Sequence, residues 1–400
     1  YPERDAPGPT IGFMQECLRW WDYWHKGIDT GIMDEPMVRV WMQDNAPPSS
    51  YHEEWPGRWV AEESWPSPNI TMQSLALNAD GTLGAARSSG ARLDFVGAQH
   101  CGLDAGIWCP TGAPGELPPD QRSDDGLSLC FTSAPLDAPM EILGLPEVTL
   151  TLAADRPNAL VAVRLCDVAP DGASTLASRG LLNLTHRDSH ENPSPLEPGK
   201  RYTVTVRLNV AGHSLPAGHR WRVAVSPTYW PYAWPSPRPV TLSVFTGAAS
   251  RLDLPVRKPR AEDAALAAFE PPEISTPLAK NTLRTGSFSR TVHRDVASGR
   301  FDLVDFGDSG SRLFVASGLE YETINKNTFT IVEGDPLSAS VRCDWTVKIG
   351  HGDWRTRVET SSVMTSDAET FRVTNVLDAF EGNTRVFGKT WTFAVPRDCV

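Results

Sequence analysis

The sequence is short of basic charge: 37 Lys and Arg stand against 49 Asp and Glu, a formal net charge of −12. Nucleic acid and anionic membrane surfaces attract clustered cations, so neither is an expected partner. No apolar run approaches the roughly 20 residues of a bilayer span, and no basic-then-apolar signal segment opens the chain. Cysteine is sparse and odd in number, seven in all, with no C-x-x-C pair. That reads as reduced thiols, hence a cytoplasmic setting, rather than as a disulfide framework. A complete G-x-S-x-G nucleophile elbow is missing as well, and helical periodicity is almost absent.

What the chain has instead is tryptophan and proline, 14 and 34 residues among 400, and a long series of alternating segments. One helix is expected, in "IGFMQECLRWWDYWHKG". There Ile11, Met14, Cys17 or Leu18, Trp21, and Trp24 or His25 recur at helical spacing, and Gly27 is placed as its C-cap. Pro9 suits its start. From Trp55 to Leu254 short strands follow one another with turn signals between, among them "EVTLTLAAD", "ALVAVRLCDV", "RYTVTVRLNV", "RWRVAVSP" and "VTLSVFTG". Strands this frequent indicate an antiparallel jelly-roll sandwich. Residues 255–281 are rich in Pro, Ala and charge and read as a linker with a short helical turn. Strands resume over 282–400, longer and more charged, as in "RFDLVDFG", "RLFVASG" and "SASVRCDWTVKIG", which suggests a separate antiparallel meander. The expected fold is thus mainly β: one helix and a strand over 1–54, a jelly roll over 55–254, a linker, and a second antiparallel β domain.

"GHSLPAGH" opens like an elbow at Ser214, but Pro216 replaces the closing glycine and a strand follows where a helix should support the oxyanion. A strand connection is the better reading. "GDSGS" at Ser309 fails in the same way. His186 and His190 stand four apart, yet Arg187 occupies the zincin glutamate position and "NPSPLEPG" is a poor helix, so a polar loop is expected. His100, Cys101, Cys109 and Cys130 match no zinc spacing and read as scattered thiols. Asp124-Asp125 and Glu53-Glu54 read as solvated surface. The run "SPTYWPYAWPSPRP", with Tyr229, Trp230, Tyr232 and Trp234, cannot be a central strand; it lines a pocket or caps the core. No catalytic residue, metal or cofactor is expected in the chain.

Several segments together resemble the cocaine-esterase and Xaa-Pro dipeptidyl-peptidase family of serine hydrolases. "GPTIGFMQECLRWWDYWHKGIDTGIMDEPMVRVWMQD" resembles the last helix and exit strand of its α/β-hydrolase domain. "PPDQRSDDGLSLCFTSAPL", "VRLCDVAPDGASTLASRGLLNLTHRDS", "PLEPGKRYTVTVRL" and "HSLPAGHRWRVAVSPTYWP" resemble its C-terminal jelly roll. The likeness covers residues 1 to 254, and 282–400 match nothing in it. It implies that the Ser, Asp and His of the triad precede the segment "YPERDAPGPTIGF", so no triad residue is carried over here. His25 replaces an apolar residue of the family helix and reads as tolerated packing. The resemblance further implies that the jelly roll walls the substrate pocket through the loop before "DQR", which here is "GLDAGIWCPTG". That makes Ile107 and Trp108 the expected substrate contacts, with Tyr229 and Trp230 of the aromatic loop beside them. The implied partners are an α/β-hydrolase domain and a small ester or peptide substrate, and a homo-oligomer is left open. A chain opening at Tyr1 leaves a fragment or a processed product open. A stand-alone carbohydrate- or ligand-binding sandwich, and a structural partner docking on a hydrolase through the Trp-rich helix, are the alternatives.

Overall fold

The computed structural model describes residues 8–86 and 90–400; Tyr1 to Pro7 of the opening segment lie outside them. The expected helix spans Phe13–Lys26 and is ended by Gly27, whose φ of +67° allows its N–H to reach the carbonyls of Asp22 and Tyr23. Glu16 in its first turn and His25 with Lys26 in its last complement the helix dipole. None of its residues is buried. Phe13, Met14, Leu18, Trp20, Trp21 and Trp24 are all exposed. The helix is tied by polar contacts: Gly12 N–H donates to Glu270 O at 2.9 Å, Gln15 Nε2 to Pro271 O at 2.8 Å, and Arg19 in its middle pairs with Glu35 while Thr30 Oγ1 donates to Arg19 O at 3.1 Å.

The jelly roll follows from alternating strands that each bury one or both faces. Its longest hydrogen-bonded path runs through Ser174–Asn183, Leu160–Val168, Arg220–Ser226, Leu129–Ser133, Thr82–Gly84, Ile70–Leu77, Gly247–Arg257, Met140–Gly144, Ala211–Leu215, Val38–Asp44 and Gly57–Glu62. A branch of Tyr202–Arg207, Glu147–Ala154, Thr241–Phe245 and Arg92–Val96 joins it where Glu147–Ala154 pairs with Gly247–Arg257. The core between them holds Leu150, Leu152, Val163, Leu165, Trp221, Val223 and Leu252. Leu160–Val168 is buried at every position, as expected of a strand covered on both sides.

Several local expectations needed adjustment. Val38–Asp44, read as an exit strand, is hydrogen-bonded into the jelly roll, parallel to Ala211–Leu215 and antiparallel to Gly57–Glu62. The last jelly-roll strand continues to Arg257 despite Pro255, and the linker begins after it with a 3₁₀ turn at Ala261–Ala265. Arg257 fixes that turn: its buried guanidinium pairs with Glu62 at 2.7 Å, Glu141 at 3.0 Å and Asp263 at 2.8 Å.

The second β unit is a meander. Arg300–Phe314, Leu319–Val332, Asp335–His351, Trp354–Ser366, Thr370–Glu381 and Thr384–Pro396 pair antiparallel in chain order, and Lys280–Arg284 and Ser287–Asp295 lie along the first of them. The two strands expected around "GDSGS" are one strand with a register shift between Asp308 and Ser311. The meander seats one end of one face on the jelly roll, with Phe301, Leu303, Ile331 and Ala339 around Leu103 and Trp230. Polar latches flank that contact. Trp234 Nε1 donates to Ser366 Oγ at 2.9 Å, Arg397 to Pro235 O at 2.6 Å, and Asn183 Nδ2 to Cys399 O at 3.0 Å.

Candidate functional site

The site is built on the loop from Gly97 to Gln121, and buried polar groups hold that loop in place. Asp124 and Asp125, read as solvated, are both buried on a short helix, Arg122–Asp125. Burial is tolerated because partners distant in sequence meet them. Arg164 pairs with Asp125 Oδ1 at 3.0 Å and donates to Gln121 Oε1 at 3.1 Å. Arg222 and Ser174 Oγ donate to Asp125 Oδ2 at 2.9 and 2.8 Å. Asp124 Oδ1 in turn accepts from Gly102 N–H at 3.0 Å, fixing the start of the loop. Its carboxyl is pushed up to about 6, first by burial and with Arg164 acting in the opposite sense.

Farther along, Gly106 has φ +72°, and a Cβ there would meet Glu116 O at 2.7 Å, so only glycine fits the turn that precedes Ile107. Ile107 N–H donates to Glu116 O at 2.9 Å, while Thr111 Oγ1 and Ala113 N–H both donate to the Glu116 carboxylate at 3.0 Å. Ile107 is half-buried and Trp108, 77% exposed, stands out from the loop with its ring 5.5 Å from that of Tyr232. Beneath Tyr232, Arg179 donates to Tyr232 Oη at 2.6 Å and to Ala105 O at 2.5 Å.

Ile107 and Trp108 line two adjoining clefts whose other wall is the meander. One, of about 480 Å³, is shared with Phe288, Asp305, Asn325, Asn327 and Trp345. The other, of about 240 Å³, includes Tyr232, Arg290 and Phe329. Arg290 bridges the units, pairing with Asp305 at 2.9 Å and donating to Gly106 O at 2.8 Å. Burial pushes the Asp305 carboxyl up, against the pull of Arg290. The aromatic loop is split between two tasks. Tyr229 and Trp230 are 1% exposed, one packed with Ala105, Leu160 and Ala162, the other with Leu103, Phe301 and Leu303. They seal the core under the cleft, and neither ring reaches its lumen.

The other singled-out residues fall as follows. Ser214 lies within the strand Ala211–Leu215, so the connection begins only at Pro216. Alternation turns Ser214 away from its neighbour His213, which faces inward. His213 and His219 instead flank the buried Asp167 carboxylate at 3.0 and 2.7 Å, and Asn45 Nδ2 donates to it at 2.7 Å. This cluster ties Leu160–Val168 and Ala211–Leu215 to the ends of two neighbouring strands and gives Ser214 no base. Ser309 Oγ accepts from Thr323 N–H at 3.0 Å within a strand. His186 ends a 3₁₀ turn and meets exposed His190 at 3.4 Å, without a helix. All seven cysteines are free; burial pushes the Cys101 and Cys130 thiols up to about 12 and 11, away from reactive thiolates. His100 stacks on Phe301 and pairs with Glu333 at 2.6 Å. His25 stacks on Trp21 at the exposed end of the helix. Glu53 and Glu54 are exposed.

Sequence reading missed the meander half of the cleft: Arg290, Asp305, Asn325, Asn327 and Trp345. Strand alternation carried a signal, since it places Asn325 and Asn327 on one face with Phe329. It could not show which face meets the jelly roll.

Residues 30–260 match the family described as X-Pro dipeptidyl-peptidase C-terminal non-catalytic domain. A Mycobacterium bovis protein named as a serine esterase is 30% identical over 285 residues, covering 64% of this chain and 43% of that protein. A Bacillus cereus protein named as a Xaa-Pro dipeptidyl-peptidase is 26% identical, covering 62% and 38%. The chain thus spans less than half the length of these relatives. A crystal structure of an aminopeptidase from a marine-sediment Thaumarchaeota archaeon shares the fold, with a TM-score of 0.51 at 18% identity over 64% of this chain and 47% of that one.

Proposed function

This chain belongs to the family of X-Pro dipeptidyl-peptidase C-terminal non-catalytic domains, and from that premise we propose how it serves a serine hydrolase. Its role is to complete an α/β-hydrolase domain that carries the Ser, Asp and His. The complete enzyme forms and hydrolyses an acyl-enzyme on small esters or amides, including peptides with proline in the second position. The jelly roll supplies a wall of the substrate pocket, and Ile107 and Trp108 are its substrate-facing residues. The setting is a reducing cytoplasm, in keeping with seven free cysteines.

The family match over residues 30–260 carries this reading. The Phe13–Lys26 helix supports it, because six large apolar side chains left exposed on one short helix make a sticky surface in isolation and an ordinary one against the rest of a hydrolase domain. The coding sequence upstream of Tyr1 tests it. An open frame encoding a G-x-S-x-G segment agrees with the proposal, and a start codon directly ahead of Tyr1 overturns it. A second readout is the behaviour of the chain in size-exclusion chromatography. Self-association relieved by Trp21→Ser with Trp24→Ser agrees with an orphaned docking helix, and a monodisperse monomer before substitution counts against it.

A further inference from the structure

The open part of the meander face carries more polar chemistry than a packing surface requires. Pairing register places Asp305, Asn327, Cys343, Ser362, Asn375 and Trp391 directly opposite one another across six strands. The next row is Gly307, Asn325, Trp345, Thr360, Leu377 and Lys389. Alternation puts both rows on the face that carries Leu303, Phe329 and Val341 to the jelly roll. The apolar row is covered at that end by Trp230 and Trp234. The amide rows begin where this cover stops, and their first members form the floor of the 480 Å³ cleft below Trp108.

We propose that this cleft is a binding site for a hydroxylated ring, a saccharide unit, held between Trp108 and Trp345 over the Asn325 and Asn327 amides. Both indoles expose their rings, Trp108 at 77% and Trp345 at 43%, and offer broad apolar faces to the C–H side of a sugar ring. The floor decides between a saccharide and an acyl chain. An acyl chain would strip water from the Asn325 and Asn327 amides and the Asp305 carboxylate without replacing their hydrogen bonds, an unfavourable exchange. Sugar hydroxyls donate and accept, matching amides that do both. Asn327 Oδ1 is already buried without a partner and is an acceptor awaiting a donor. Asp305, fixed by Arg290, closes the row with a carboxylate at the far end.

The site lies wholly within this chain, so the proposal does not rest on the hydrolase assignment. The test is isothermal titration of the 400-residue chain with cellobiose, maltose, lactose and N,N′-diacetylchitobiose, and with decanoate as the acyl probe. At least one disaccharide is expected to give a saturable heat. Its affinity should fall about tenfold in Trp345→Ala and in Asn327→Ala, and remain unchanged in Thr374→Ala on the opposite face. Thermal melts accompany each variant, and Trp108→Ala, in an exposed loop position, reads the same site if Trp345→Ala does not fold. Heat from none of the disaccharides, binding indifferent to these variants, or binding of decanoate alone overturns the proposal and leaves family membership untouched.

Discussion

The jelly roll and the meander are both antiparallel β structures, yet they spend their residues differently. In the jelly roll, strands such as Leu160–Val168 are buried at every position, and charges that enter the interior are met by partners, as Arg164 is by Asp125 and Arg257 by Glu62. In the meander the apolar cluster is confined to the seam with the jelly roll, around Phe301, Leu303, Ile331 and Ala339. The last strand, Thr384–Pro396, is exposed at nearly every position. A sheet covered on both faces is committed to packing, whereas one covered at a single end keeps a face for other work.

That contrast can be broken at its strongest point first. Trp221 is fully buried in the jelly-roll core, and Trp221→Ala should cost about 3–5 kcal/mol, read as a lower urea midpoint. An equal loss from the half-exposed Trp345→Ala would erase the distinction. Leu303 sits in the seam at 1% exposure, so Leu303→Ala should cost about 2–3 kcal/mol. Hydrogen exchange should place that loss in the meander and spare Leu160–Val168. Uniform acceleration in both units would show that they unfold as one.

A smaller effect separates the buried charge networks. The Asp124 carboxyl, raised by burial to about 6, holds its proton more tightly in the folded protein than in the unfolded chain, where Asp titrates near 3.9. Its contribution to stability is therefore full below about pH 4 and is lost as pH rises through 6. Asp124→Asn, which can still accept from Gly102 N–H, should flatten the fall in melting temperature over that window. An unaltered pH profile would remove Asp124 from the account.

The same contrast explains what the sequence made legible. Period-two alternation marks Glu147–Ala154, Tyr202–Arg207 and Arg220–Ser226 because each presents one buried and one different face, and the helix is readable because Gly27 stops it. Asp124 and Asp125 look solvated in sequence because burial of a carboxylate depends on Arg164 and Arg222, 39 and 97 positions beyond Asp125, which no local pattern connects. Pro255 looked like a linker because a strand proline is recognisable as an edge or bulge residue only once its neighbours are known. The cleft was half legible: Ile107 and Trp108 came from resemblance, and the meander wall came only from register. Chemistry marks Tyr229 and Trp230, but the burial of Trp230 depends on Phe301 and Leu303 of a second unit that the resemblance does not cover, and that of Tyr229 on Ala105, Leu160 and Ala162, far from it in sequence.

The central claim is that Ser214 and Ser309, the two serines in elbow-like sequence, are strand residues without a base, since Ser214 faces away from the His213 and Asp167 pair and Ser309 is engaged within a strand. The most direct test is p-nitrophenyl ester hydrolysis by the purified chain beside Ser214→Ala and Ser309→Ala. The account predicts no turnover above the buffer rate in any of the three. Turnover by the parent chain that disappears in either variant would contradict it.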